Sequence, residues 1–209
     1  AKPWVHDGIE RRTLASSTQS SRRLSLDFHV RHGAPAIAWP HHKAESLNLT
    51  IAERKLGAEI AVRTVAKRVP VSIFVGTLSE EDSLDLARHA QKVGADAILT
   101  ISPYCRRPTQ EEIFDSIVRI ATHTDLPMLT YNSPWRNGEG VEFTADLTRR
   151  LIERLPNYAG MKDASFHSEK FMFLTPASAK VGTFGRPPTR SPAATASGRT
   201  SPPWICPRS

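Results

Sequence analysis

The sequence predicts an α/β fold in which parallel strands alternate with helices. Four short apolar runs, starting near residues 71, 97, 128 and 158, have the length and composition of buried strands. A segment with helical periodicity separates each run from the next. The interval of about 26 to 31 residues is that of repeated βα units, which form a parallel sheet with right-handed crossovers. This periodicity permits a doubly wound open sheet and a segment of a barrel equally.

Capping signals locate the helices between these strands. Thr50 and Glu53 form a capping box, in which each side chain satisfies a backbone N–H of the other residue, and this helix is expected to run to about Lys67. The remaining helices are predicted to begin at Ser79, Thr109 and Thr144. The strands are predicted over Val69–Val75, Asp96–Ile101, Pro127–Tyr131 and Tyr158–Lys162.

The regular pattern divides the chain into three parts. Residues 45–180 hold the four clear βα units, residues 1–44 form an irregular N-terminal flank, and residues 181–209 are rich in Pro, Ser and Arg. Within the N-terminal flank, Leu24 to Val30 alternate apolar and polar residues and are expected to form one strand. The C-terminal tail is expected to be disordered, because it cannot bury enough apolar surface to offset its ordering entropy. The loss of pattern on both sides suggests that the flanks are mis-specified, for example out of the native reading frame.

The charge distribution argues against a nucleic-acid or membrane-surface protein. The net charge is +7, but residues 1–43 hold seven basic and three acidic residues and residues 171–209 hold five basic and none acidic. The excess therefore lies in the flanks, whereas a phosphate-binding patch is expected on the folded centre. Two cysteines make no disulfide framework, no apolar run is long enough to span a membrane, and we expect a cytoplasmic protein.

Two side chains at strand ends are candidates for chemistry. Tyr131 and Lys162 end successive apolar runs, and the ends of neighbouring parallel strands share one edge of a sheet. An amine can form a Schiff base with a carbonyl, and a phenol can move protons beside it. From spacing alone, a surface lysine at a strand exit and a core tyrosine with its hydroxyl satisfied remain open as alternative interpretations.

The same residues carry a family resemblance over about residues 45–180. Tyr131-Asn132-Ser133-Pro134, followed by Gly160-Met161-Lys162-Asp163-Ala164, resembles the dihydrodipicolinate synthase / N-acetylneuraminate lyase family of class I, Schiff-base-forming aldolases. Gly76-Thr77 and Ser102-Pro103-Tyr104 lie upstream in the matching order. The resemblance implies a (β/α)8 TIM barrel. We expect that barrel to be incomplete in this sequence, because a complete one needs about 250 residues and the flanks are irregular.

The resemblance also implies a function and a set of site residues. It implies a homo-oligomeric lyase acting on pyruvate or a related 2-oxo acid, without a metal or an organic cofactor. Lys162 would form the imine, Tyr131 would carry protons, and Arg136 would hold a substrate carboxylate. The implied substrate-binding residues are Arg136, Gly76, Thr77 and Tyr104.

Two departures from the family pattern keep an alternative open. Cys105 stands where many relatives carry a second aromatic hydroxyl, and residues 41–45 (His-His-Lys-Ala-Glu) replace a Gly/Thr-rich carboxylate-binding loop of which only Glu45 is retained. The alternative is therefore a non-catalytic binding or scaffold protein on a degenerate barrel. Five of the eight histidines lie in residues 1–43, but their spacing fits no metal-ligand set, and we interpret them as exposed or incidental.

Overall fold

The computed structural model describes residues 5–6, 16–41, 44–104, 107–134 and 141–165. Within these residues it contains a single parallel sheet with six strands. The strands are β1 (Val5–His6), β2 (Ile37–Trp39), β3 (Val71–Phe74), β4 (Ala97–Ile101), β5 (Met128–Asn132) and β6 (Tyr158–Asp163). The helices are α1 (Ser16–Arg31), α2 (Ile51–Val65), α3 (Glu80–Lys92), α4 (Gln110–Ala121) and α5 (Ala145–Arg154), with a short 3-10 turn at Ser46–Asn48.

The order of the strands decides between the two topologies that periodicity left open. Each strand pairs in parallel with the next strand along the chain, in the order β1-β2-β3-β4-β5-β6. A doubly wound sheet reverses its strand order at a switch point, and no reversal occurs among the described strands. With crossovers of one hand, an unreversed order covers one face of the sheet with helices, as in a barrel wall.

The helix starts follow the capping signals. The Thr50 hydroxyl accepts a hydrogen bond from the backbone N–H of Glu53 at 3.2 Å, and the Glu53 carboxylate accepts one from the Thr50 N–H at 2.8 Å. Thr109 and Glu112 form the same capping box at the start of α4. The predicted N-caps Ser79 and Thr144 also cap their helices. The four predicted helices and the four predicted strands are therefore confirmed.

The prediction of a strand over Leu24–Val30 is wrong, because these residues lie in helix α1. Alternating apolar residues on a helix point in different directions. Leu26 is accordingly fully buried while Leu24 and Phe28 are 72% and 55% exposed. The apolar run that ends at Trp39 forms β2, whose three residues are all buried. Residues 16–31 and 37–39 therefore have regular structure where an irregular flank was expected. The domain boundary at residue 44 stays a prediction.

The sheet separates two apolar clusters. On one face, the larger cluster packs strand residues such as Ile98 against residues of all five helices, for example Ile117 of α4. On the other face, a smaller cluster joins residues of β3 to β6 without help from a helix. Its members are Phe74, Ala97, Leu99, Ile101, Tyr104, Leu129, Tyr131 and Ala159. The second face corresponds to a barrel interior, and Tyr131 belongs to it.

Helix α2 is fitted closely to β2 and β3. A Cβ atom at Gly57 would lie 2.3 Å from the Trp39 ring, so only glycine lets the indole pack against the helix at this position. The buried guanidinium of Arg54 donates hydrogen bonds to the carbonyl oxygens of Gly76 at 2.9 Å and Phe74 at 2.5 Å. Arg54 thereby fastens the carboxyl end of β3 to the helix layer.

Candidate active site

Tyr131 and Lys162 meet on the interior face of the sheet. They are direct partners in the β5–β6 register, so their side chains emerge side by side at the carboxyl ends of the two strands. The Lys162 Nζ atom lies 4.3 Å from the centroid of the Tyr131 ring. The tyrosine is buried and the lysine is partly exposed. The structure therefore brings together the amine and the phenol that the strand-end pattern predicted.

A bulge in β6 directs Lys162 to this face. Tyr158 pairs with Met128, but the next pair is Gly160 with Leu129, so Ala159 is an extra residue. Since side chains alternate along a strand, a regular register would place Lys162 opposite Asn132, on the helix-covered face. Gly160 adopts φ 154°, a conformation that residues with a side chain rarely adopt. The glycine thus permits the shift on which the position of the amine depends.

The residues that follow Tyr131 and Lys162 in the sequence are joined by a hydrogen bond. The Asn132 amide donates a hydrogen bond to the Asp163 carboxylate at 2.6 Å, and its carbonyl oxygen accepts one from the Phe143 N–H at 3.0 Å. Asp163 also accepts hydrogen bonds from the Ser165 N–H at 2.7 Å and from the Ser165 hydroxyl at 2.5 Å. This network holds the carboxyl ends of β5 and β6 at a constant separation.

His41 is the site residue that the sequence interpretation missed. It follows β2 by two residues, is 1% exposed, and places its Nε2 atom 3.4 Å from the Lys162 Nζ. Its ring centroid lies 4.6 Å from that of Tyr131 and 5.4 Å from that of Phe74. The interpretation of the N-terminal histidines as exposed or incidental is therefore wrong for His41. A signal was available, because His41 follows the apolar run that ends at Trp39 by two residues, and Tyr131 and Lys162 also stand at the ends of apolar runs.

Three further predicted residues gather at a neighbouring cavity. Gly76, Thr77 and Tyr104 line a space of about 210 Å³ at the carboxyl ends of β3 and β4, and Lys162 is not among its lining residues. The Thr77 hydroxyl contacts the Ser79 backbone and the Ser83 hydroxyl, which fixes the turn into α3. Tyr104 also packs in the interior cluster with Tyr131, which connects the two regions. Arg136 and Cys105 lie outside the described residues.

Burial changes the ionisation of two groups near these strands. Desolvation lowers the pKa of Arg54 to about 10, which still leaves the guanidinium charged at neutral pH. Burial raises the pKa of Tyr158, because its phenolate would be desolvated, although its hydrogen bond to Thr130 at 2.8 Å opposes the shift.

Among the described residues, no group of His, Cys, Asp and Glu side chains could hold a metal ion. The described helices include none that is long and apolar enough to cross a bilayer.

Comparison with known families agrees with this architecture. Residues 17–176 match the family model of the dihydrodipicolinate synthetase family. The chain belongs to this family. The motif resemblance was expected to begin at about Glu45, but the match begins well before it. Strand β2 and all of helix α1 except its first residue therefore lie within the family segment.

Individual relatives of the family resemble the chain over much of its length. A 4-hydroxy-tetrahydrodipicolinate synthase of a Sulfurihydrogenibium species is 37% identical over 147 residues, which is 70% of this chain and 49% of that relative. A crystal structure of a dihydrodipicolinate synthase superposes with a TM-score of 0.77 at 26% identity, covering 85% of this chain and 60% of that one. The chloride-inhibited dihydrodipicolinate synthase of Acinetobacter baumannii, solved with pyruvate, gives 0.73 at 27% identity, covering 86% and 58%.

These likenesses confirm the predicted fold class. The parallel sheet is a segment of a TIM barrel, with its strands in the order of the barrel wall. The chain spans about half the length of the curated relatives it matches. The four predicted strands are β3 to β6, the third to the sixth of the described sheet, and the four predicted helices are α2 to α5, each of which precedes one of these strands.

Proposed function

We propose that this chain carries the catalytic strands of a Schiff-base-forming lyase that acts on pyruvate or a related 2-oxo acid. The observation that carries the proposal is the pairing of Lys162 and Tyr131 in register at the carboxyl ends of β5 and β6. Active sites of TIM barrels are built at this end of the strands. The pyruvate complex of the Acinetobacter baumannii relative supports the choice of substrate class.

In this proposal, Lys162 attacks the carbonyl carbon of the 2-oxo acid and forms an imine. The imine withdraws electrons from the neighbouring carbon atom, and this carbon then makes or breaks a carbon–carbon bond. The phenol hydroxyl of Tyr131 carries protons for the carbinolamine and for the carbon–carbon step, and the Tyr131 ring lies 4.3 Å from the amine. The chemistry itself requires no metal or organic cofactor.

The remaining predicted residues would shape and select the substrate. Gly76 shapes the site by letting the Phe74 ring pack against its backbone, since a Cβ there would lie 2.8 Å from that ring. Tyr104 joins the cavity to the interior cluster that contains Tyr131. Arg136 would hold a carboxylate by two parallel hydrogen bonds. We further propose a homo-oligomer, as the family resemblance implies, and a cytoplasmic location, because the two cysteines make no disulfide framework.

Borohydride trapping tests the proposed function directly. The full chain is incubated with pyruvate and cyanoborohydride, and peptide mass spectrometry locates the reduced adduct. We expect the adduct on Lys162 and on no other lysine, and we expect Lys162→Ala to abolish it. Lys67, which is bound to Asp96 at 2.7 Å, provides the matched control as Lys67→Ala. A folded wild-type chain that forms no adduct would instead favour the non-catalytic scaffold.

A further inference from the structure

We propose that His41 is a second acid–base group of this site, which takes a proton from Lys162 before the attack and returns it to the leaving hydroxyl. This inference rests on the proposed function, because it assigns a role within imine formation. It concerns the segment after β2, where the sequence departs from the Gly/Thr-rich loop that the family resemblance implies.

The geometry brings His41 to the reacting nitrogen. The Nε2 atom lies 3.4 Å from the Lys162 Nζ, close enough for a proton to pass between them with a small adjustment. The imidazole is held in this orientation by the rings of Tyr131 and Phe74, at centroid distances of 4.6 and 5.4 Å. Since His41 is 1% exposed, packing restrains it on several sides. Three strands thus contribute to one cluster of imidazole, phenol and amine.

The position of the amine explains why a base is needed. The Lys162 Nζ lies over the face of the Tyr131 ring at 4.3 Å, which is the geometry of a cation–π contact. The nucleophile in imine formation is the neutral amine, so the ammonium must first lose a proton. A ring face has no lone pair to accept that proton, whereas a neutral imidazole nitrogen does. Imidazole also exchanges protons readily near neutral pH.

The proton balance of the step closes without another reagent. The ammonium of Lys162 transfers one proton to His41, and the freed amine attacks the carbonyl carbon, forming a carbon–nitrogen bond as the carbonyl π electrons move to oxygen. A proton passes from the new nitrogen to that oxygen, which gives the neutral carbinolamine. The protonated His41 then donates its proton to the departing hydroxyl, the carbon–oxygen bond breaks, and a protonated imine and water result.

The decisive experiment measures the rate of imine formation rather than its final extent. Samples of the full chain with pyruvate are quenched with borohydride at increasing times, and the Lys162 adduct is quantified by mass spectrometry. His41→Gln retains a hydrogen-bonding group but takes up no proton, and we expect its initial rate to fall about 100-fold, a usual size for general acid–base catalysis. His123→Gln is the matched control, because this exposed ring forms a hydrogen bond with the carbonyl oxygen of Arg119 in helix α4.

Chemical rescue separates acid–base chemistry from packing. In His41→Ala, added imidazole is expected to restore the rate, whereas pyrazole, a ring of the same size and much weaker basicity, is not. This second variant decides the matter if His41→Gln fails to fold, as judged by circular dichroism. Equal rescue by both rings, or a His41→Gln rate within about twofold of wild type, would overturn the assignment while the adduct itself still supports the lyase. Absence of the adduct in the wild-type chain would overturn both proposals.

Discussion

Replacing Gly160 with alanine should separate the geometry of the site from the stability of the fold. The residue has φ 154° and forms the bulge that places Lys162 beside Tyr131. A Cβ atom there would meet only Leu129, at an ordinary contact distance of 3.7 Å. The cost of Gly160→Ala is therefore conformational rather than steric, and we expect about 1–3 kcal/mol of lost stability. For a chain of this size that corresponds to a fall in Tm of about 2–4 °C per kcal/mol.

The chain can relieve this strain by removing the bulge. Lys162 would then pair with Asn132 and point to the helix-covered face, so we expect trapping of pyruvate to slow by about 100-fold or more. Gly94→Ala is the matched control, because Gly94 also has a positive φ, 83°, and a Cβ atom added there would meet nothing within 4 Å. Gly94→Ala should lose stability without any slowing of pyruvate trapping. The assays are urea unfolding and timed borohydride quenching. The reasoning is refuted if Gly160→Ala traps pyruvate as fast as Gly94→Ala does.

Three further predictions concern stability and can be checked by urea unfolding. Gly57→Ala should cost about 1–3 kcal/mol, because its Cβ would lie 2.3 Å from the Trp39 ring; a wild-type midpoint would contradict this fit. Thr109→Ala should cost about 1 kcal/mol by removing a helix cap, and Thr109→Ser should recover most of it. Burial raises the pKa of Tyr158 above its ordinary value of 10.0, so its contribution to stability is complete below pH 10 and is lost as the pH rises beyond. Tyr158→Phe should therefore unfold with a weaker dependence on alkaline pH than the wild type, and an unchanged dependence would exclude this role.

Local sequence signals were sufficient for the elements of the barrel segment. The hydroxyls of Thr50 and Thr109 each satisfy a backbone donor three residues on, so helix starts follow from nearest neighbours in the chain. The strands could also be predicted from the sequence, because a parallel strand covered on both faces is a short run of apolar residues. Helix α1 was mistaken for a strand because Leu24, Leu26 and Phe28 alternate, yet the helix buries Leu26 and leaves the other two exposed. No local pattern shows which of these three side chains is buried against the rest of the fold.

The candidate site was predictable in part for the same reason. The sequence was enough to predict that Tyr131 and Lys162 end successive strands, since strand ends depend on local composition and spacing. The three-dimensional fold was needed to show that both side chains face the interior. Regular alternation of side chains from Tyr158 predicts the helix-covered face for Lys162, and only the one-residue bulge turns it to the interior. The place of His41 beside the amine likewise depends on the sheet, which brings together residues 121 positions apart. Contacts at that separation depend on how strands pair, and strand pairing is a property of the whole fold.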